Sequence, residues 1–268
     1  MIERHSADTL KSNGYLVTSC AALDRSELQE AFRSFVCRDR DYQLRFLQKH
    51  FGYAYDGYSY YGQSDSSHQA EDDLISTFVL SEFFPVERYP VEFQGFLKGR
   101  WTEVVQTVRS LEVELLTQLK MPGLLDFYRN NAGHMVSNNY YPPVQQFTTT
   151  AAGNTRLSAH PDASLFTVFP FGIDEELQLE MAGESGESVW QSVDASGSIL
   201  IYPGYLMEMW THGAIKAMNH RVRLSNDREA ERFSFSVFSL PYPLREFEVP
   251  GRGRMTSEAY FDAYGALF

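Results

Sequence analysis

His160-Pro161-Asp162 stands just ahead of the apolar run LFTVFP. On an extended chain, residues i and i+2 point to the same side. The imidazole and the carboxylate can therefore converge on one ion. A second imidazole, His220, lies 58 residues beyond Asp162 in the strand-like KAMNHRVRL. Two imidazoles and one carboxylate have the composition of a facial triad. Such a site holds iron(II) by one face and leaves three adjacent coordination positions open. Taken alone, the HxD spacing with a later histidine is a common coincidence. His5, His50, His68, His134 and His212 have no partner at a ligand spacing and read as solvated or hydrogen-bonded histidines.

The run ERFSFSVFSL places Arg232, Ser234 and Ser236 on one face and Phe233, Phe235 and Val237 on the other. An arginine buried in such a strand needs an anion. Arg232 and Ser234 could hold a carboxylate, through the guanidinium fork and one hydroxyl. The plainer alternatives are a buried Arg–Asp pair or a polar face that meets water. Asn139 and Tyr141 also share a face, in VSNNYYPP, where the alternative is an edge strand stopped by Pro142-Pro143.

The pattern around these residues changes near residue 134. Before it, the helical period dominates. Asp24 and Glu27 form a capping-box-like pair ahead of Leu28, Phe32 and Phe35. Trp101, Val104, Val105, Val108, Leu111, Leu115, Leu116 and Leu119 predict one long helix over 93–120, ended by Pro122-Gly123, with a shorter helix over 124–129. After residue 134, strands are predicted over 134–141, 165–170, 177–181, 189–193, 198–202, 217–224 and 232–240. Short strands at this spacing suggest a sandwich or barrel of the jelly-roll kind. The whole chain reads as one domain: a mostly helical part over 1–133, a β core over 134–245 and a C-terminal tail over 246–268. The tyrosine-rich stretch Gly52–Ala70 has neither period. It reads as a surface loop or as a loop folded over a site.

Composition narrows the function classes. The chain has 268 residues, 43% of them hydrophobic and 15% aromatic, enough for a full core. Its formal charge of −12, with no basic cluster, argues against nucleic-acid or anionic-membrane binding. Two cysteines, Cys20 and Cys37, exclude a disulfide framework. No apolar run is long enough for a transmembrane helix, and the first residues lack a signal pattern, so a cytoplasmic protein is expected. No GxSxG, phosphate loop or HExxH occurs.

Taken in order, four segments resemble the iron(II)/2-oxoglutarate-dependent oxygenases, in the isopenicillin N synthase-like branch. These are Asn139-Tyr140-Tyr141-Pro142, HPDASLFT over 160–167, PGYLMEMWTHGAIKAMNHRV over 203–222, and Arg232-Phe233-Ser234. The resemblance implies a double-stranded β-helix (jelly roll) core with an N-terminal helical layer. It implies His160, Asp162 and His220 as iron ligands. Arg232 and Ser234 become the clamp for the distal carboxylate of 2-oxoglutarate, with Tyr141 and Asn139 nearby. Iron(II), 2-oxoglutarate and dioxygen are the expected cofactor and co-substrates, with ascorbate as a supporting reductant. The reaction class is oxidation of a C–H bond in a small molecule, such as an amino-acid derivative or a secondary-metabolite intermediate. Arg156, four residues ahead of His160, is a candidate partner for a substrate carboxylate, with a surface arginine as the alternative. Tyr58, Tyr60 and Phe166 are candidates for lining the pocket by position. One departure is Gly204-Tyr205, where the family commonly has Gly-Asp; it puts local hydrogen bonding in question. Two other readings stand beside this one: an iron oxidase of the same fold that uses no 2-oxoglutarate, and a non-catalytic metal-containing binding domain. The oligomeric state is not readable from the sequence.

Overall fold

A computed structural model describes residues 2–51, 55–63, 73–144, 155–183, 185–224, 227 and 229–267. The strands are β1 Leu16–Ala21, β2 Gly57–Ser59, β3 Ser76–Ser81, β4 Ala132–Tyr141, β5 Thr155–His160, β6 Phe166–Phe169, β7 Leu177–Ala182, β8 Ser188–Ser192, β9 Ser198–Pro203, β10 His220–Arg223, β11 Arg232–Pro241, β12 Glu246–Val249 and β13 Gly253–Thr256. The helices are α1 Ser6–Asn13, α2 Ser26–Val36, α3 Arg40–Leu44, α4 Val91–Lys98, α5 Trp101–Leu119, α6 Pro122–Asn131, α7 Tyr205–Trp210 and α8 Ser257–Gly265. Eight consecutive strands, β4 to β11, are shared between two antiparallel sheets. The larger sheet runs β1-β9-β6-β11-β4-β3-β2 and the smaller runs β5-β10-β7-β8. This is a jelly roll, mainly β with flanking helices.

Period-two alternation decides what each face of the larger sheet does. Phe233, Phe235 and Val237 of β11, Val136 of β4, and Phe78 and Leu80 of β3 pack outward in one cluster with α2, α4 and α5. Ring contacts tie the layers together, as in Phe35–Phe78 at 4.9 Å and Phe32–Phe233 at 6.0 Å. The opposite face looks into the space between the sheets. Full in-register pairing of β11 with β4, from Arg232↔Tyr141 to Pro241↔Ala132, keeps that alternation constant along both strands.

Several local expectations need correction. The helix expected over 93–120 is two helices, broken at Gly99, whose backbone leaves the helical region. Lys120, in the left-handed region, caps the second helix, and Pro122 opens α6 from its first turn, where its missing N–H costs nothing. Asp24 does not close a capping box. Its carboxylate accepts from the Ser26 N–H and hydroxyl, a local turn ahead of α2. The N-terminal part also supplies β1, β2 and β3 to the larger sheet. The tail carries α8 and adds the hairpin β12–β13. Both cysteines are free. Of the tyrosine-rich stretch, residues 52–54 and 64–70 lie outside the described residues. Among the described residues, no helix is long and apolar enough to cross a membrane.

Candidate metal centre and its cavity

His160 ends β5 and His220 begins β10, and the two residues are directly paired across these antiparallel strands. Opposed side chains on neighbouring strands stand close, and the two rings are 4.4 Å apart between centroids. Asp162 follows two residues after His160. Its Oδ1 lies 3.9 Å from His160 Nε2 and 3.8 Å from His220 Nε2. The three ligand atoms all lie within 4.8 Å of one another. Two atoms about 2.1 Å from one ion and at right angles stand roughly 3 Å apart. Small side-chain rotations would therefore close all three onto an ion.

The surrounding groups leave the right atoms available. His160 Nδ1 is 2.8 Å from the Ser158 carbonyl, to which it donates, so the Nε2 lone pair faces the site. Asp162 Oδ2 accepts from the Thr167 hydroxyl at 2.7 Å and from the Tyr202 hydroxyl at 3.0 Å. That leaves Oδ1 for an ion. Burial pushes the His220 pKa down to about 4, and this outweighs the attraction of Asp162. The imidazole is thus neutral at pH 7, the form that binds a metal. Two imidazole nitrogens and one carboxylate oxygen suit iron(II), and no further protein ligand crowds the site among the described residues.

The loop carrying Asp162 is held from two sides. Tyr205 N–H donates to the Asp162 carbonyl at 2.7 Å, and Leu206 N–H to the Ser164 carbonyl at 3.1 Å. A Cβ at Gly204 would stand 2.3 Å from the Ser164 carbonyl oxygen, so only glycine allows this approach. The Gly204-Tyr205 departure therefore keeps its loop bonds, because they come from the backbone. From the other side, α8 donates the Tyr264 hydroxyl to the Pro161 carbonyl at 2.8 Å and the Tyr260 hydroxyl to the Ala163 carbonyl. These two carbonyls bracket Asp162.

A cavity opens beside the triad. Its wall from the larger sheet comprises Thr77 and Val79 of β3, Met135, Ser137, Asn139 and Tyr141 of β4, and Ser234, Ser236, Phe238 and Leu240 of β11. Asn139 Oδ1 accepts from the Thr77 hydroxyl at 3.0 Å and the Ser137 hydroxyl at 2.9 Å, which leaves its NH2 group as a donor. Tyr141 is fully buried, and its pKa is pushed up to about 12 by that burial.

Arg232 sits behind Tyr141, its guanidinium 4.7 Å from the ring centroid. Its Nε donates to Asp174 at 2.8 and 3.0 Å, and Glu176 lies 3.6 Å away. So an Arg–Asp pair is present, its arginine buried and Asp174 part-exposed, while Arg232 Nη1 is buried without a partner. Arg156 is not at the surface. It is wholly buried, donates to the Ala230 carbonyl at 3.1 Å and lies 3.9 Å from Glu176, with Nε and Nη1 lacking hydrogen-bond partners. It belongs to the Arg232 cluster and does not line the cavity. Tyr58, Tyr60 and Phe166 do not line it either. Tyr58 and Phe166 are buried in the cluster under the helices, and Tyr60 packs against that cluster beneath the Arg40 guanidinium. The strand positions of Tyr58 and Phe166 turn them to the outer face. Sequence reasoning missed Thr167, Tyr202, Asp174 and Tyr264. Thr167 lay inside the HPDASLFT run; for the others nothing along the chain signals the contact. His134 is hydrogen-bonded as expected, buried 2.9 Å from Glu112.

Comparisons with known proteins agree with this geometry. Residues 132–241, which hold all eight jelly-roll strands, match the family model for the 2OG-Fe(II) oxygenase superfamily. Validamycin A dioxygenase of Streptomyces hygroscopicus subsp. limoneus is 25% identical over 170 residues, 58% of this chain and 42% of that protein. Proline hydroxylase buaE of Petromyces alliaceus is 26% identical over 107 residues, 38% of this chain and 33% of that protein. These matches span less than half the length of the curated relatives. Among solved structures, a full-length Neurospora crassa protein in complex with α-KG superposes with a TM-score of 0.71 at 15% identity, covering 99% of this chain and 90% of that one. The rice dioxygenase for auxin oxidation gives 0.69 at 16% identity, covering 98% and 89%. These two likenesses bear on the fold. With its eight-stranded core, the paired histidines and Asp162 held between them, the segment 132–241 is similar to the 2OG-Fe(II) oxygenase superfamily, whose family model it matches.

Proposed function

We propose that the protein is an iron(II)- and 2-oxoglutarate-dependent oxygenase that oxidises a C–H bond of a small molecule, by hydroxylation, desaturation or ring closure. An amino-acid derivative or a secondary-metabolite intermediate is the substrate type we favour. The observation that carries this reading is the shared cavity. One wall carries His160, Asp162 and His220, and the other carries Ser234, Asn139 and Tyr141, with the buried cation Arg232 behind the Tyr141 ring.

His160, Asp162 and His220 would hold the iron. Arg232 and Ser234 would hold the distal carboxylate of 2-oxoglutarate, with Asn139 and Tyr141 donating hydrogen bonds beside it. When bound, iron(II) supplies the chemistry by which dioxygen oxidises substrate and 2-oxoglutarate together, giving succinate and carbon dioxide. The protein's own work is placement. Ser158 fixes the tautomer of His160, and Thr167 with Tyr202 aims one oxygen of Asp162 inward. The apolar residues of the cavity exclude water.

The test is succinate release from labelled 2-oxoglutarate with iron(II) and ascorbate across a metabolite panel. Asp162→Ala should lower it by about 10³-fold or more, on the scale of losing a group that acts only in the reacting complex. Equal turnover in the variant would sink the assignment. Anaerobic binding of 2-oxoglutarate, read by the weak visible absorption of its iron chelate, separates this reading from an oxidase that needs no 2-oxoglutarate.

A further inference from the structure

The inward row of the larger sheet changes chemistry in one direction. Along β11 it reads Arg232, Ser234, Ser236, Phe238, Leu240, and along the antiparallel β4 it reads Tyr141, Asn139, Ser137, Met135. Thr77 and Val79 of β3 continue the rows of Asn139 and Ser137. Each step of two residues moves about 6.8 Å along the strand. The one cation of these rows, Arg232, stands at their first end. At the other end Val79, Met135, Ala163, Leu240 and Tyr264 form a separate apolar cluster, joined by Tyr55 and Phe238.

These apolar residues line the cavity, and among the described lining residues none is Lys or Arg. Among the described residues the charge acting on Tyr55 is negative, and the Arg88 guanidinium attends the neighbouring Asp56. Asp262 of α8 pushes the Tyr55 hydroxyl in the same direction as burial does, towards the protonated form. Asp56, next to Tyr55, is buried and hydrogen-bonded by Tyr89. Burying a carboxylate without a cation is costly, and doing so beside acids is costlier.

We infer that the substrate bound at this end is uncharged: an apolar body carrying neutral polar groups, with no free carboxylate or phosphate. This rests on the proposed function and narrows it. An amino-acid derivative would fit only with its carboxyl masked, as an amide, ester or ring. The hydroxyls of Ser137 and Ser236, at the border of the apolar cluster, are suited to neutral carbonyl or hydroxyl groups.

The test uses the full chain with manganese(II) in place of iron and saturating 2-oxoglutarate, so that turnover is absent and the Arg232 end is filled. Matched probes are titrated by calorimetry and ligand-observed NMR: phenylacetamide with phenylacetate, cyclohexanecarboxamide with cyclohexanecarboxylate, and a cyclic dipeptide with its open form. The amides and the cyclic dipeptide should bind at least about tenfold more tightly than the charged partners. Phe238→Arg, at a half-buried position, should narrow or reverse that ratio while 2-oxoglutarate binding stays unchanged. Charged probes that bind as well as the neutral ones, or no binding by any neutral probe, overturns the inference. Failure of 2-oxoglutarate itself to bind would instead overturn the proposed function.

Discussion

The two ends of the cavity follow opposite plans. Behind the Tyr141 end, outside the lining itself, two buried guanidiniums face two carboxylates, and Arg156 Nε and Nη1 with Arg232 Nη1 still lack hydrogen-bond partners. At the Tyr264 end the wall is methyl, thioether and ring, and its polar atoms are hydroxyls. Charge in a buried place must be met by charge. An end equipped with cations is suited to an anion, and an end without them rejects one. Under the proposed function, the same core would sort two ligands by charge.

The largest effect should come from breaking the charged end. Arg232→Met leaves Asp174 and Glu176 short of their cation, and should cost about 4 kcal/mol of stability, discounted for the part-exposed Asp174. It should also weaken 2-oxoglutarate binding about 100-fold, read by calorimetry. An unchanged affinity would place the carboxylate elsewhere.

The next effect probes how dry the opposite end is. Burial raises the Asp56 pKa to about 7, far above the ordinary carboxyl range, against the lowering by Tyr89 and Ser81. A raised folded-state pKa stabilises the protein below the unfolded value, and that stability is lost as pH rises through the folded value. The contribution should fall by about 3 kcal/mol between pH 4 and pH 7. Asp56→Asn should flatten that part of the stability-versus-pH curve in denaturant titrations.

Met135→Ala then tests the apolar wall directly. It should cost about 2 kcal/mol, alter binding of neutral probes, and leave 2-oxoglutarate affinity as it was. A shift in 2-oxoglutarate affinity would blur the separation of the two ends. The smallest effect is expected for Tyr264→Phe, which removes one hydrogen bond to the Pro161 carbonyl, worth about 1 kcal/mol. Metal affinity measured with manganese(II) should weaken slightly, because the carbonyl it releases adjoins both His160 and Asp162.

Much of this was legible along the chain. The alternation in ERFSFSVFSL assigned each residue of β11 to its face, and the expected strands recur in the core within a few residues. HPD and NHR marked the ends of the strands that meet at the metal centre. Tyr58 and Phe166 failed as pocket residues because position near a motif says nothing about which face a strand turns outward. Gly99 split a helix whose apolar stripe ran unbroken across it, since periodicity does not register a single backbone departure.

What the sequence determined by itself is local: which residues alternate, where turns interrupt, and which side chains have the chemistry of an iron site. Those properties depend on neighbours a few positions apart. Only the tertiary structure decided that Asp174 reaches Arg232 across 58 residues, that α8 grips both sides of Asp162 from the far end of the chain, and that Arg156 and Arg232 gather around Glu176. Such contacts are set by how two sheets close over each other, and no short-range pattern encodes that closure.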